Sequence, residues 1–200
     1  MNKIDIKVYF NFRSPYCYLA SKRMFDVIVA PDIQIIWCPL GGWNGRSAPD
    51  RVAYKLPIVR QDVARWSRRL DIPFVPPPME TEPTNAALGS LLAERVGRLP
   101  EYIFEVMREE WEFGQNIGLI EPLLRAAKRA GVDSDQLQQA LTDENGIAKL
   151  KEFEESAKTD GAFGVPTFVV GKEVFWGNDR LDFLAEHIAS LRVSSLQASF

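Results

Sequence analysis

Residues 4–20 read IDIKVYFNFRSPYCYLA. Polar and apolar residues alternate from Ile4 to Phe12, with Ile, Val and aromatics prominent, and this predicts a β-strand. From Pro15 the apolar residues take helical spacing through PYCYLASKRMFDVIVA (15–30), and after Pro31 the run DIQIIWCPL (32–40) is again strand-like. Strand, helix and strand in this order place the two strands parallel in one sheet, with the helix across its face. The first strand-to-helix junction holds a serine at 14, a proline at 15 and a cysteine at 17, in a chain with two cysteines in all.

Further along, the character changes between about residues 41 and 160. GGWNGRSAPD (41–50) is a loop by its Gly, Asn and Pro content, and YKLPIVRQDVARWSRRL (54–70) reads as helical after Pro57. IPFVPPPMETEP (72–83) has five prolines in twelve residues and is an extended connection. TNAALGSLLAERVG, PEYIFEVMREEWEFG, LIEPLLRAAKRAG and DSDQLQQALTDENGIAKLKEFEESAKTDG are helical patterns separated by Gly or Pro. AFGVPTFVVGKEVFWGNDRLDFLAEHIASL (162–191) returns to strand, turn, strand and helix, with Gly171-Lys172 suited to a tight hairpin. The order βαβ, helices, ββα is that of an α/β, thioredoxin-like fold with an all-helical domain inserted after the second strand. Residues 1–40 and 161–192 then form a discontinuous thioredoxin-like domain, residues 41–160 the helical insertion, and residues 193–200 a loose C-terminal tail.

Composition narrows the function. With 200 residues and 46% hydrophobic content the chain buries a real core. A net charge of -3, with no basic block apart from balancing acids, argues against nucleic acid as partner. No stretch approaches the eighteen or so apolar residues that span a membrane, and MNKIDIKVYF lacks the unbroken apolar core of a secretory leader, so a cytoplasmic protein is expected. Cys17 and Cys38 are too few for a disulfide scaffold. The single histidine, His187, sits in an amphipathic helical pattern, which argues against a zinc site and against a Ser-His-Asp or Cys-His catalytic group.

At the junction, the end of a strand meets the N-terminus of a helix, where unpaired backbone N–H groups favour a negative charge. Redox proteins of the thioredoxin type place a Cys-x-x-Cys motif there, whose first cysteine is the attacking thiolate. Here those four residues are Ser14, Pro15, Tyr16 and Cys17. A serine cannot form the mixed disulfide of thiol exchange. Its hydroxyl can instead donate to a thiolate that another molecule brings, favouring the charged form; the plainer reading makes Ser14 an N-cap followed by Pro15 in the first turn. FGVPTFVV then puts Pro166 ahead of the third strand. A cis Val165-Pro166 bond there would leave the Val165 N–H and C=O to pair with an extended peptide, whereas a trans proline would merely mark a strand edge.

FNFRSPYCYLA, QDVARW and above all AFGVPTFVVGKEVFWGNDRL resemble the 2-hydroxychromene-2-carboxylate isomerases and the kappa-class glutathione transferases, which share a thioredoxin-like fold with a DsbA-like helical insertion. The resemblance runs from about Val8 to the last helix and is strongest at the two ends. It implies glutathione as cofactor, with Ser14 donating to its sulfur, Val165 ahead of the cis-proline Pro166 pairing with its cysteinyl part, and Asn178 and Asp179 holding its γ-glutamyl end. In the variable loop it points to Asn44 and Lys55, the latter on the glycyl carboxylate, with Arg51 as a stand-in for Lys55. Asp179 has a plainer role open to it as cap of the final helix. Cys17 reads as a small helix residue behind Ser14, and Cys38 as a buried structural thiol.

The resemblance further implies glutathione-dependent cis-trans isomerisation of 2-hydroxychromene-2-carboxylate to trans-o-hydroxybenzylidenepyruvate in the breakdown of naphthalene-type aromatics, in a homodimer. Among the aromatics, Phe12 and Trp43 flank the motif loops and are the expected wall for such a substrate. Three alternatives share parts of this reading. A kappa-like glutathione transferase would conjugate an electrophile from the same binding half, a DsbA-like oxidoreductase would work through Cys17, and a non-catalytic module would grip a peptide along the proline loop.

Overall fold

The computed structural model describes residues 3–42 and 49–197. Strand β1 (Ile4–Phe10) pairs in parallel with β2 (Ile33–Pro39), from Ile4 opposite Ile33 to Phe10 opposite Pro39. Strand β3 (Thr167–Val170) lies antiparallel on the other side of β1, and β4 (Glu173–Trp176) closes the order β2-β1-β3-β4. The β3–β4 hairpin turns at Gly171, whose φ of 61° is the left-handed region that glycine enters without a Cβ clash. The expected α/β thioredoxin-like architecture is therefore present.

Helical periodicity over residues 15–30 yields two helices, not one: α1 (Pro15–Ser21) and α2 (Met24–Ile28). At the break the Lys22 and Arg23 N–H groups bond three residues back, to Leu19 and Ala20. Their side chains leave in different directions, Lys22 to Glu112 at 2.8 Å and Arg23 to Asp182 at 2.6 Å. These long-range contacts lie outside what local periodicity encodes.

Helix α3 (Pro49–Leu70) begins earlier than the sequence pattern implied and keeps Pro57 inside it, so Lys55 lies on a helix and not in a loop. The 72–83 connection is free of helix and strand, as its prolines require. Helices α4 (Thr84–Arg95), α5 (Leu99–Trp111), α6 (Ile120–Ala130), α7 (Ser134–Ala140) and α8 (Glu144–Thr159) follow. Gly89 in α4 marks a close approach: a Cβ there would stand 2.1 Å from the Tyr102 hydroxyl on α5. After a short 3₁₀ turn at Asn178–Arg180, α9 (Leu181–Gln197) ends the described chain. It runs through residues 193–197, read from sequence as tail, and its Arg192 forms a paired hydrogen bond with Asp32 at 2.6 and 2.8 Å.

One face of the sheet (Ile6, Val8, Phe10 and Phe168) shares a core with Tyr18 and Leu19 of α1, Leu184 and Ile188 of α9, and Tyr102, Val106 and Trp111 of α5. The helical block is thus packed against the sheet through one apolar core, in which each fully buried large side chain contributes about 1.5 to 3 kcal/mol. The other face brings Tyr9 and Val169 onto Ala157 of α8. There the Tyr9 hydroxyl meets Ser156 at 2.7 Å and Asp160 at 2.6 Å, fixing the chain where it leaves the helical block. Among the described residues no helix is long and apolar enough to cross a membrane.

Candidate active site

Asn11 sets the shape of the junction. As β1 ends, its amide donates to the Leu40 and Gly41 carbonyls at 2.7 and 2.8 Å, while its Oδ1 accepts the Arg13 N–H at 2.7 Å. The chain turns, Ser14 takes an extended backbone (φ -92°, ψ 118°) and α1 begins at Pro15. The Ser14 hydroxyl accepts the Cys17 N–H at 3.3 Å, so the plain N-cap reading holds. It also donates to the Val165 carbonyl at 3.2 Å, across to the far end of the chain. Both roles coexist, because the oxygen accepts while its one proton donates. Since α1 is only seven residues long, the hydroxyl itself is the principal polar group offered at its start.

The Val165-Pro166 bond is cis. Among the described residues the Val165 N–H donates no hydrogen bond. The Thr167 hydroxyl ties the loop back to the Gly164 carbonyl at 2.7 Å, and the Pro166 carbonyl accepts the Gly177 N–H at 2.9 Å. That last bond carries the 178–180 turn up beside the proline loop. Gly177 has φ 108°, and a Cβ on it would stand 2.5 Å from Asp179 Oδ1. The Asp179 carboxylate pairs with Arg180 at 2.7 Å, and its side chain is 47% exposed. It bonds to no backbone N–H among the described residues, so the capping alternative is absent. Asn178 is buried.

Ser14, Val165, Pro166, Asn178 and Asp179 thus converge from both ends of the chain. One expected residue falls elsewhere. Phe12 belongs to the core and not to an open wall: it has no exposed surface and packs edge-on against Phe10 and Tyr102 at centroid distances of 5.5 and 6.0 Å. Lys55 is exposed on α3. Arg51 lies in the first turns of α3, its side chain outside the described residues, as are Trp43 and Asn44.

Burial pushes the Cys17 thiol up to about 12, against smaller opposing pulls from the Asn11 N–H and Ser14. The Cys38 thiol is likewise pushed up to about 12 by burial. Burial thus holds both in the thiol form near neutral pH, which disfavours them as attacking thiolates. Tyr16 faces α3, its hydroxyl donating to Asp62 at 3.0 Å; burial first, then this carboxylate, raise it to about 12. The field of Asp179 also reaches Tyr16 and acts in the same direction.

Sequence reasoning missed Asn11, Arg13 and the Tyr16–Asp62 pair. A short amide directly after a strand and two residues before an arginine is a signal for a side-chain turn, and would have found Asn11. The other contacts depend on helix packing and had no local signal.

Residues 5–189 match the family described as the DSBA-like thioredoxin domain. The chain belongs to that family. The residue that caps its first helix is Ser14, with Cys17 three positions on. It is similar to the 2-hydroxychromene-2-carboxylate isomerase of Sphingobium xenophagum, with 27% identity over 191 residues, 92% of this chain and 97% of that protein. Identity to the enzyme of the same name from Pseudomonas sp. (strain C18) is 25% over 200 residues, 96% of this chain and 93% of the other. A solved 2-hydroxychromene-2-carboxylate isomerase shares the fold, with a TM-score of 0.82 at 23% identity over 98% of this chain and all of that one.

Proposed function

We propose that this DsbA-like protein is a glutathione-dependent isomerase acting on 2-hydroxychromene-2-carboxylate or a close aromatic relative. The observation that carries the proposal is the Ser14 hydroxyl, presented at the start of α1 and held 3.2 Å from the carbonyl of the residue before Pro166. A hydroxyl with one proton, and a neighbouring N–H with no partner among the described residues, suit a small thiol peptide lying along the proline loop. The isomerase half of the reading is supported by the names of relatives of similar length, both called 2-hydroxychromene-2-carboxylate isomerase.

Bound there, glutathione would supply a thiolate that adds reversibly to the conjugated system, so that a fixed double bond becomes rotatable and is restored as the sulfur leaves. Ser14 turns its proton from the Val165 carbonyl to that sulfur and favours its charged form. Val165 holds the peptide backbone. The exposed Asp179 carboxylate takes the α-ammonium of the γ-glutamyl end, and Lys55 or Arg51 the glycyl carboxylate. Tyr16, bound to Asp62 and titrating far above neutrality, keeps its proton and gives the site a fixed polar wall. No oxidation or reduction is needed, in keeping with two buried thiols.

Calorimetric titration with glutathione tests binding, and the absorbance of 2-hydroxychromene-2-carboxylate with and without glutathione tests turnover. Catalytic amounts of glutathione should suffice. Consumption of one glutathione per substrate would instead mark a kappa-like transferase, and turnover independent of glutathione would overturn the proposal.

A further inference from the structure

Arg13, immediately before Ser14, lies against the helical block. Its Nη2 donates to the Pro78 carbonyl at 2.9 Å and lies 3.5 Å from that of Met79, and its guanidinium stands 5.6 Å from the Trp111 ring centroid. Its Nη1 lies 3.4 Å from Oε1 of Glu110 on α5. The next residue along, Trp111, donates its indole N–H to the Phe12 carbonyl at 2.9 Å. Residues 12 and 13 are therefore held from the helical side by two consecutive residues at the end of α5.

Glu110 is the unusual member. Its side chain has no exposed surface, and no side chain donates a hydrogen bond to either oxygen. Replacing a buried ion pair by apolar groups is often neutral or stabilising, so stability alone gives no reason for a carboxylate here. The neighbouring acids have partners of their own: Glu109 has Arg125 and Arg129, Glu112 has Lys22 and Arg108, and Glu82 of the 72–83 connection has Thr84. Arg13 is the charged group that bears on Glu110.

We infer that Glu110 is a positioning residue for Ser14: in its ionised state it grips Arg13 and fixes the loop of residues 11–14, and on protonation it releases that grip. Burial raises the carboxyl to about 8, against weaker pulls from Arg13 and the Ile117 N–H, so the change of state falls in an accessible range. Charging a buried acid lowers the stability of the whole fold while tightening this one loop. Opposite directions in the two readouts separate a positioning role from a merely structural one.

The effect on turnover rests on the proposed function, but the structural half does not. Amide exchange of residues 11–18, corrected for the intrinsic effect of pH, is measured at pH 6 and pH 9 without glutathione, together with the urea midpoint. In the wild-type protein the loop should become at least threefold more protected at pH 9 while the midpoint falls. Glu110→Gln should remove both responses, and Arg13→Met should remove the loop response alone. The ratio of wild-type to Glu110→Gln kcat should rise over the same range, with the KM for glutathione changing less than twofold. Equal loop protection at both pH values in the wild-type protein, or a loop response that survives Arg13→Met, overturns the inference. If the wild-type protein shows no glutathione-dependent turnover, the proposed function falls, and exchange alone decides the role of Glu110.

Discussion

Ser14 Oγ and the Val165 carbonyl oxygen stand 3.2 Å apart although 151 residues separate them in the chain. The contact closes the candidate site, since it joins the start of α1 to the proline loop ahead of β3. It also sets the resting direction of the one proton that Ser14 has to give.

Ser14→Ala removes a donor and a cap together. A charge-assisted hydrogen bond is worth about 1.5 to 3 kcal/mol, so isomerisation should fall roughly tenfold or more, and the ultraviolet thiolate band of bound glutathione near pH 7 should fade. Loss of the cap should cost about 1 kcal/mol of stability. Ser14→Asp separates the two, because a carboxylate caps the helix but repels a thiolate: its melting temperature should stay near that of the wild-type protein while turnover is lost. Full activity in Ser14→Ala would remove the hydroxyl from the mechanism.

Both cysteines should be inert in the folded protein. With thiols pushed up to about 12 and side chains buried, iodoacetamide at pH 7.5 should label neither until denaturant is added. Cys17→Ser should keep turnover within twofold. Rapid labelling of Cys17, or loss of activity on its replacement, would restore the oxidoreductase reading.

Glu110 should make stability fall as pH rises. Its carboxyl is raised to about 8 in the folded state, against an ordinary value near 4.5. Between these values the folded protein holds a proton that the unfolded chain releases, so this stabilisation is fully present below about 4.5 and is lost as pH approaches 8. Urea midpoints for Glu110→Gln should decline less steeply between pH 5 and pH 8 than those of the wild-type protein. Parallel slopes would place the titration elsewhere.

Gly177→Ala tests how the 178–180 turn is held. At φ 108° a side chain is strained, and its Cβ would meet Asp179 Oδ1 at 2.5 Å. Stability should drop by about 1 to 3 kcal/mol, and the affinity for glutathione should fall as Asp179 is displaced. A melting curve and a titration unchanged from those of the wild-type protein would show that neither the backbone nor the carboxylate matters.

Where local chemistry specifies local structure, the sequence is readable: the prolines of 72–83 and the Gly171 hairpin stand where they are read, and the alternation over 4–12 gives a strand that stops at Phe10, two residues early, where Asn11 turns the chain. Phe12 was misplaced because an aromatic beside a motif loop looks the same in sequence whether it turns outward or into a core, and Tyr102 decides which. The single helix expected over 15–30 is interrupted at residues 22–23, where Lys22 pairs with Glu112 just past α5 and Arg23 with Asp182 on α9, contacts that no local pattern encodes. Lys55 entered a helix because Pro57 is tolerated within α3, where the proline had suggested a start.

The order of strands and helices, the serine at the first strand-to-helix junction and the proline ahead of β3 can be read along the chain, because propensity, turn chemistry and residue identity act over a few neighbouring positions. That Ser14 meets Val165, that the 178–180 turn rises beside them, and that Glu110 is sealed against Arg13 emerges from the packed fold. Those relations join distant parts of the chain through packing and exclusion of water, and no local pattern records them.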